Sequence, residues 1–360
     1  MYRIHMLPAF HGDCLWVEFG KEDDPKFILI DGGTTGTWSV LKARLLLEKK
    51  RMGGKLHIEL FVVTHVDSDH IGGALKLLGQ LGPLGITFGD VWFNGYRHLD
   101  NQRMPEPDDV LGGKQGEQLS VLIDEARLNW NQAFDRHAVM VPDDGPLPQH
   151  DVAGMKLTLL SPTFKKLQML KPVWEKEVRK AGLVPGEAYE VVEAKPDSDI
   201  LGDMTVEQLA SMPFKSDPSE ANGSSIAFLA EFEGKKVLFG ADSHADVLYE
   251  SLKRGPLKGK DVLDIAAFKV AHHGSKGNTD EALVKALPAR HYLLSTNGDQ
   301  HEHPDPEAVA RIAVNGPQGK SLHFNYKSPF NRQWSSPARR NKWHYSPVFG
   351  KDGEGLALDL

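Results

Sequence analysis

The first third of the chain alternates short apolar runs with polar turns. Three of these runs have the length and composition of β-strands, at residues 2–7, 15–19 and 26–30. Residues 38–51 instead carry apolar side chains at helical spacing. A continuous apolar run at 58–63 is followed by a polar loop and then by a glycine-rich helix start at 71–73. This strand–loop–helix order is the layout in which α/β proteins bind ligands at the carboxyl end of a strand.

Beyond the middle of the chain, predicted strands alternate with predicted helices. The predicted strands are 155–160, 225–232, 236–239, 265–271 and 291–295, and the predicted helices are 115–138, 244–253, 279–287 and 305–314. Early hairpins followed by later alternation predict two sheets covered on their outer faces by helices. Residues 163–220 interrupt the pattern with a polar, acidic, proline-containing stretch. We interpret that stretch as an insertion or lid.

Composition narrows the class of protein. With 360 residues, of which 40% are apolar and 25% charged, the chain can bury a sizeable core as one large α/β domain with insertions or as two domains. No apolar run approaches the roughly 18 residues of a membrane helix, so no membrane partner is expected. The single cysteine, Cys14, excludes an intramolecular disulfide and a CxxC zinc site. It predicts a reducing compartment, most simply the cytoplasm.

The strongest chemical signal follows the apolar run at 58–63. Four potential metal ligands, His65, Asp67, Asp69 and His70, lie within six residues of one another. Imidazole and carboxylate donors together suit zinc, manganese or iron. The alternative interpretation is a solvated polar loop in which a side chain caps the next helix.

Three further groups of potential ligands each follow a predicted strand: Asp242, the pair His272 and His273, and His303. Taken alone, Asp242 is typical of a helix N-cap and His303 of a loop histidine. Together with the first loop, however, these residues supply donors from four strand ends. That number is enough to bind two metal ions about 3.5 Å apart.

The order of these motifs resembles the metallo-β-lactamase superfamily. The sequence HxDxDHxGG at 65–73 is followed by Gly-x-Asp at 240–242, HHGS at 272–275 and His-Pro at 303–304. The ordered motifs span most of the chain, so the resemblance implies a single domain over residues 1–360. It also implies a four-layer αββα sandwich, of mixed α/β content, with a dinuclear metal site at one edge of its two sheets.

One branch of that superfamily is the most similar, the branch that contains the hydrolase domain of the DNA-uptake competence protein ComEC. Its Gly-Asp followed by a small residue is matched at 12–14, and its Asp-Gly-Gly is matched at 31–33. Its Asn-x-Ser before the later strand pair is matched at 222–224. These matches are specific for fold and metal binding, and only weakly specific for substrate.

Carried over residue by residue, the resemblance implies a ligand set for two divalent ions, zinc or manganese. His65 and Asp67 would bind one metal, Asp69 and His70 the other, and Asp242 would bridge them.

The remaining ligand of the second metal would come from His273 or His303. Adjacent side chains on an extended chain point in opposite directions, so His272 and His273 are not expected to bind the same ion. One would ligate and the other would face the substrate oxyanion. The expected catalytic residues are Asp69, which would orient the attacking water, and His272 with His303, which would stabilise negative charge.

Two positions depart from the commoner superfamily pattern HxHxDH. Asp67 stands where the second histidine of that motif would be, and the extra carboxylate suits manganese as well as zinc. Asn222 stands where a further histidine ligand is expected, and an amide is a weak ligand. The first metal site is therefore expected to be labile, or to fill only with substrate.

The resemblance implies a metal-dependent hydrolase, and a phosphodiesterase or nuclease is the first expectation. Residues 316–351 favour it, because seven lysines and arginines, no acid and several aromatic residues are interleaved there. A solvated surface with a few core aromatics explains the same composition. The other functions are an esterase of the same fold, acting on a lactone, thioester or phosphorylcholine-type ester, and a non-catalytic binding subunit that has lost one metal. The net charge of −7 argues against a role in coating DNA.

Overall fold

The protein is described here by a computed structural model that covers residues 1–102, 114–180, 204–351 and 353–360. Within these ranges the strands form one six-stranded and one eight-stranded sheet. The strands are β1 (Tyr2–Met6), β2 (Leu15–Gly20), β3 (Pro25–Ile30), β4 (Leu56–Val62), β5 (Ile86–Trp92), β6 (Gln149–Val152), β7 (Met155–Ser161), β8 (Ala227–Phe232), β9 (Lys235–Phe239), β10 (Ile265–Lys269), β11 (Ala289–Leu294), β12 (Lys320–Phe324), β13 (Tyr345–Phe349) and β14 (Leu356–Asp359). The helices are α1 (Trp38–Arg51), α2 (Ser68–Leu78), α3 (Leu81–Leu84), α4 (Lys114–Glu125), α5 (Phe164–Lys180), α6 (Val206–Ala210), α7 (Glu220–Gly223), α8 (Ala245–Arg254), α9 (Glu281–Ala286), α10 (Pro306–Asn315) and α11 (Pro337–Trp343).

Each sheet changes from antiparallel to parallel pairing along its strand order. The first sheet has the order β14-β1-β2-β3-β4-β5, in which β3, β4 and β5 are parallel. The second has the order β13-β12-β11-β10-β9-β8-β7-β6, in which the five strands from β9 to β13 are parallel. Parallel strands end at the same edge of their sheet, so the loops after β3 and β4 are neighbours, and so are the loops after β9, β10 and β11.

Side-chain alternation along the strands divides the core into two clusters. In β3, Ile28 and Ile30 pack into the cluster that contains the inner face of the second sheet. Phe27 and Leu29 point the other way and pack beneath the helices of the first sheet. Because side chains alternate with a period of two residues, each strand contributes side chains to the layers on both faces of its sheet. The resulting order of helices, sheet, sheet and helices confirms the predicted four-layer αββα sandwich.

The helix predicted over 115–138 is wrong at its carboxyl end, because α4 ends at Glu125. Arg127, Asn131 and Asp135 have positive φ angles of 50°, 51° and 52°, which a continuing right-handed helix does not allow. Asn131 uses its side chain to accept a hydrogen bond from the Phe93 backbone N–H instead. The helical apolar spacing of the first half was therefore informative, and the turn residues after it ended the helix.

The predicted insertion at 163–220 contains structured parts that join the sandwich. Helix α5 buries Leu167, Leu170 and Trp174 in the cluster beneath the first sheet. Helix α6 packs against α10 on the other side of the molecule. Residues 181–203, the middle of this segment, lie outside the described residues.

The basic, aromatic segment at 316–351 contributes β12, α11 and β13. Trp334 is fully buried in the core, and Trp343 is partly buried against it. These two tryptophans therefore pack in the protein core. Among the described helices, none combines the length and apolar character needed to cross a membrane.

Candidate metal centre

The candidate ligands lie in the segments that follow parallel strands. His65 follows β4, and Asp67 is the N-cap residue of α2, so Asp69 and His70 fall in the first turn of that helix. Asp242 follows β9 in the same way. The two sheets meet at this edge, where the Ile226 N–H donates to the Thr64 carbonyl across the sandwich.

Five of the predicted residues converge on one point. The Nε2 atoms of His65, His70 and His273 lie 3.8, 3.3 and 3.6 Å from Oδ2 of Asp242. Oδ2 of Asp69 lies 3.7 Å from His70 Nε2 and 3.3 Å from His273 Nε2. All three imidazoles and Asp242 are buried. Residues far apart in the sequence thus present their ligand atoms to a common centre.

Hydrogen bonds on the opposite side of two rings fix their orientation. His70 donates from Nδ1 to Oδ2 of Asp31 at 2.8 Å, and the Thr64 hydroxyl donates to the same oxygen at 2.8 Å. Nδ1 of His65 lies 3.0 Å from that hydroxyl. With Nδ1 engaged, Nε2 is the nitrogen that each ring presents to the centre, as in histidines that bind metals.

His273 is held by a second set of contacts. Its Nδ1 donates to the Ser295 carbonyl at 2.8 Å and lies 3.5 Å from Oδ1 of Asp13. The Lys269 ammonium donates to the other oxygen of Asp13 at 2.6 Å. The sequence matched Asp13 to a motif of the resembled branch without assigning it a role, and Lys269 carried no signal of its own. Asp13, held by Lys269, thus lies on the Nδ1 side of the His273 ring, away from the nitrogen that faces the centre.

The doublet of His272 and His273 does not have the extended backbone assumed from the sequence. Their φ angles are 46° and 54°, in the left-handed region that non-glycine residues rarely adopt. Gly274, with φ of 89°, completes the turn. Such strain at adjacent histidines is typical of a functional site.

His272 has a different environment from its neighbour. Its Nδ1 lies 3.0 Å from Oδ1 of Asn278 and 3.3 Å from Oδ2 of Asp217, and its Nε2 lies 3.8 Å from Asp242. Asp217 lies within the acidic stretch at 163–220, and no local sequence motif marks it. The structure brings it to the site through the loop before α7.

Asn222 also lies in this group. Its Nδ2 donates to Asp217 at 2.7 Å, which turns its Oδ1 away from that carboxylate. That Oδ1 is buried without a hydrogen-bond partner. Asn222 therefore belongs to the group around His272, and its unpartnered amide oxygen can accept a further hydrogen bond.

The remaining predicted residues lie at the edges of the cluster. Asp67 is 3.5 Å from Nε2 of His65, with its side chain 42% exposed. The ring of His303 packs edge-on against His272, with centroids 5.2 Å apart, and its Nδ1 is 3.7 Å from Asp305. In the described parts of the chain, neither Asp67 nor His303 joins a group of three side chains whose ligand atoms all lie within 4.8 Å of one another.

Burial and neighbouring charges shift the pKa values of the central residues in opposite directions. Burial lowers the pKa of His70, but Asp242 and Asp69 outweigh it and hold that pKa well above its usual value. In the same way, Asp242 and Asp13 overcome burial and raise the pKa of His273 to about 10. Burial likewise favours the neutral form of Asp242, yet His70 and His273 hold its pKa well below the usual range. The carboxylates thus create a negative potential that attracts cations.

The donor set fits divalent cations. His65 Nε2 and Asp242 Oδ1 are buried at the centre without hydrogen-bond partners, a costly arrangement unless another group binds there. The Nε2 atoms of His70 and His273 lie only 3.3 Å apart. Imidazole nitrogens and carboxylate oxygens facing one point are the ligands of zinc and manganese sites.

Comparison with known proteins agrees with this geometry. Residues 7–148, which make up less than half of the chain, match the sequence model of the family described as "Metallo-beta-lactamase superfamily". The match includes His65, Asp67, Asp69 and His70, whereas Asp242 lies beyond it. No curated protein matches the chain.

Three solved structures are similar at low sequence identity. A mutant of the β-hydroxylase CmlA is 10% identical with a TM-score of 0.38, covers 100% of this chain, and is itself covered over 54% of its length. A diphosphatase of the PhnP family is 13% identical with a TM-score of 0.38, and the alignment covers 100% of this chain and 98% of that one. A metallo-β-lactamase with a HARLDQ motif from Cronobacter sakazakii is 11% identical with a TM-score of 0.27, over 72% of this chain and 75% of that one.

Proposed function

We propose that this protein is a metal-dependent phosphodiesterase that acts on nucleic acids or smaller phosphodiesters with two divalent ions, zinc or manganese. One observation carries the proposal: His65, His70, Asp242 and His273 face a single buried centre within 3.8 Å of Asp242 Oδ2, and two of their ligand atoms lack partners. The likeness to the ComEC branch favours phosphodiesters among the substrates of the superfamily. A cytoplasmic location forms part of the same proposal.

The ligands are assigned to the two proposed ions as the family resemblance implies. His65 and Asp67, whose side chains lie 3.5 Å apart, would hold the first ion. Asp69 and His70, together with His273, would hold the second. Asp242 would bridge the two, because its Oδ2 faces all three imidazoles.

When bound, a pair of divalent cations lowers the pKa of a water molecule and offsets negative charge on a phosphoryl group. The protein's own groups then position the reactants. Asp69 accepts a hydrogen bond from the attacking water and orients it. His272 directs Nε2 towards a phosphoryl oxygen, because Asp217 and Asn278 hold its Nδ1.

His303 supports this arrangement from the side. Its ring lies edge-on to His272 and restricts rotation of that ring. Burial, together with the neighbouring His272 and His273, holds the pKa of His303 well below its usual value, so the ring is neutral. A neutral ring can donate one hydrogen bond to the substrate.

The proposal is tested by turnover in the manganese-loaded protein. We expect the wild type to hydrolyse bis-p-nitrophenyl phosphate. His70→Ala and Asp242→Ala should each lose more activity than the roughly 10–100-fold loss that follows removal of a residue that only supports a metal ligand. His57→Ala is the matched control, because His57 is an exposed histidine on β4. Unchanged rates in the two site variants would exclude this centre.

The same assay separates the other functions. Turnover of p-nitrophenyl acetate without turnover of the phosphodiester would favour a carboxyl esterase. A protein that elemental analysis shows to hold one metal or none, and that hydrolyses neither ester, would favour a binding subunit.

A further inference from the structure

Phe10 combines exposure with a strained backbone. Its side chain is 44% exposed, although it belongs to a loop that packs against the core. Its φ is 60°, in the left-handed region, where a bulky residue is a genuine outlier. Such a conformation persists only when surrounding contacts impose it, and it is concentrated at binding sites.

The contacts that impose it come from three separate segments. The Phe10 N–H donates to the hydroxyl of Tyr326 at 2.8 Å, and its carbonyl accepts from the Asn297 N–H at 2.8 Å. The ring lies over Gly36, where an added Cβ would come within 3.0 Å of Cε2. The ring therefore has a fixed position with one face supported. Tyr326 brings the basic, aromatic segment at 316–351 to the same place.

The loop that holds Phe10 leads directly into the metal centre. Two residues later, Gly12 packs on the carbonyl of Asp69 so closely that no side chain would fit, with an added Cβ only 1.8 Å away. The Asp13 N–H donates to that same carbonyl at 3.2 Å. The Gly12 carbonyl accepts from the hydroxyl of Ser295, whose own carbonyl holds His273. Phe10 is thus the exposed beginning of a turn that ends against the ligands.

We propose that the ring of Phe10 is a platform on which the aromatic base of a nucleotide stacks while its phosphate lies at the metal centre. This inference rests on the proposed function and specifies its substrate class. The two residues that hydrogen-bond the Phe10 backbone, Asn297 and Tyr326, are polar, so this part of the surface suits a planar group with polar edges better than an alkyl chain. A ring already fixed in place loses little conformational freedom when a base stacks on it.

Binding of two small phosphates to the manganese-loaded full chain tests the platform. The probes are thymidine 5′-monophosphate, which carries a base, and methyl phosphate, which does not, and both dissociation constants are measured by calorimetry. We expect the wild type to bind the nucleotide more tightly. Phe10→Gly should weaken nucleotide binding about tenfold and change methyl phosphate binding less than about twofold.

The variants are chosen so that folding is preserved. Glycine adopts a positive φ without strain, and Phe10→Asn is a second variant without a ring that tolerates this conformation. Phe10→Tyr keeps the ring and should retain tight nucleotide binding. Leu47→Ala is the control, because Leu47 is an exposed apolar residue on α1.

Three results would overturn the platform: no measurable nucleotide binding by the wild type, no preference for the nucleotide, or an equal change for both probes in Phe10→Gly and Phe10→Asn. Failure of the proposed function looks different. It would appear as absent turnover of bis-p-nitrophenyl phosphate, while base-dependent binding through Phe10 persists.

Discussion

Lys269 donates a hydrogen bond to Asp13 at 2.6 Å, and both side chains are almost completely buried. Lys269 is the last residue of β10 in the second sheet, whereas Asp13 precedes β2 in the first. The ammonium also donates to the Val270 carbonyl at 3.1 Å. This ion pair joins the two sheets directly behind His273, so the candidate ligand depends on a contact between residues that are 256 positions apart.

Removing the lysine should destabilise the fold strongly. Lys269→Met keeps a long apolar side chain but leaves the Asp13 carboxylate buried without its partner, which typically costs about 3–5 kcal/mol. The free energy of unfolding, measured by urea denaturation with a chelator present, checks this value. The double variant Lys269→Met/Asp13→Asn removes both charges and should lose less than the single variant. A single variant as stable as the wild type would contradict the assigned pairing.

Asp31 should set metal affinity although it is not a proposed ligand. Its carboxylate accepts hydrogen bonds from the Thr64 N–H and hydroxyl and from Nδ1 of His70. Asp31→Asn removes the charge that orients this imidazole, and affinity should fall about 10–100-fold. Competition with a chromogenic chelator measures the change. Asp264→Asn, at an exposed aspartate, should have no effect, and equal affinities for both variants would refute the role of Asp31.

The candidate ligands at 65–70 could be predicted from the sequence because the signals that mark them are local. Apolar strand residues and the dense donors after them lie side by side, so His65 and His70 could be named without knowing the fold. Asp217, Lys269 and Phe10 could not be recognised in this way. Each acts through a partner that folding brings from a distant segment, and an isolated aspartate, lysine or phenylalanine has no distinguishing pattern.

His98 should make stability depend on acid pH. Burial lowers its pKa to about 3, and its Nδ1 accepts a hydrogen bond from the Gly95 N–H, so the folded state requires the neutral ring. The unfolded pKa is about 6.5. Between these values the unfolded state binds a proton that the folded state does not. This contribution is therefore complete above pH 6.5 and is lost as pH falls, by up to about 1.4 kcal/mol per pH unit.

The variant His98→Gln keeps hydrogen-bonding capacity and cannot titrate, so its stability should fall less steeply. Unfolding free energies of both proteins between pH 6.5 and 4.5, with a chelator present, give the two slopes. Other titrating groups contribute equally to both curves. Parallel curves would show that His98 is protonated in the folded protein.

Asp217 should affect turnover rather than metal binding. It contacts His272 at Nδ1 and receives a hydrogen bond from Asn222, whereas its contacts include none of the five converging ligands. Asp217→Asn keeps the shape of the side chain but removes the charge that holds His272 in place. Because His272 is proposed to act on the phosphoryl group as charge develops, kcat should fall by about tenfold or more.

Separate measurements of metal content, KM and kcat distinguish a role in turnover from a role in metal binding. Elemental analysis should find the same metal content in Asp217→Asn as in the wild type, and KM should change little. Glu220→Gln, which removes another acid from the same segment, should keep the wild-type kcat. A fall in metal content that accounts for the lost activity would show that Asp217 supports the ligands. In that case His272 would belong to the metal shell, and the positioning role assigned to Asp217 would be wrong.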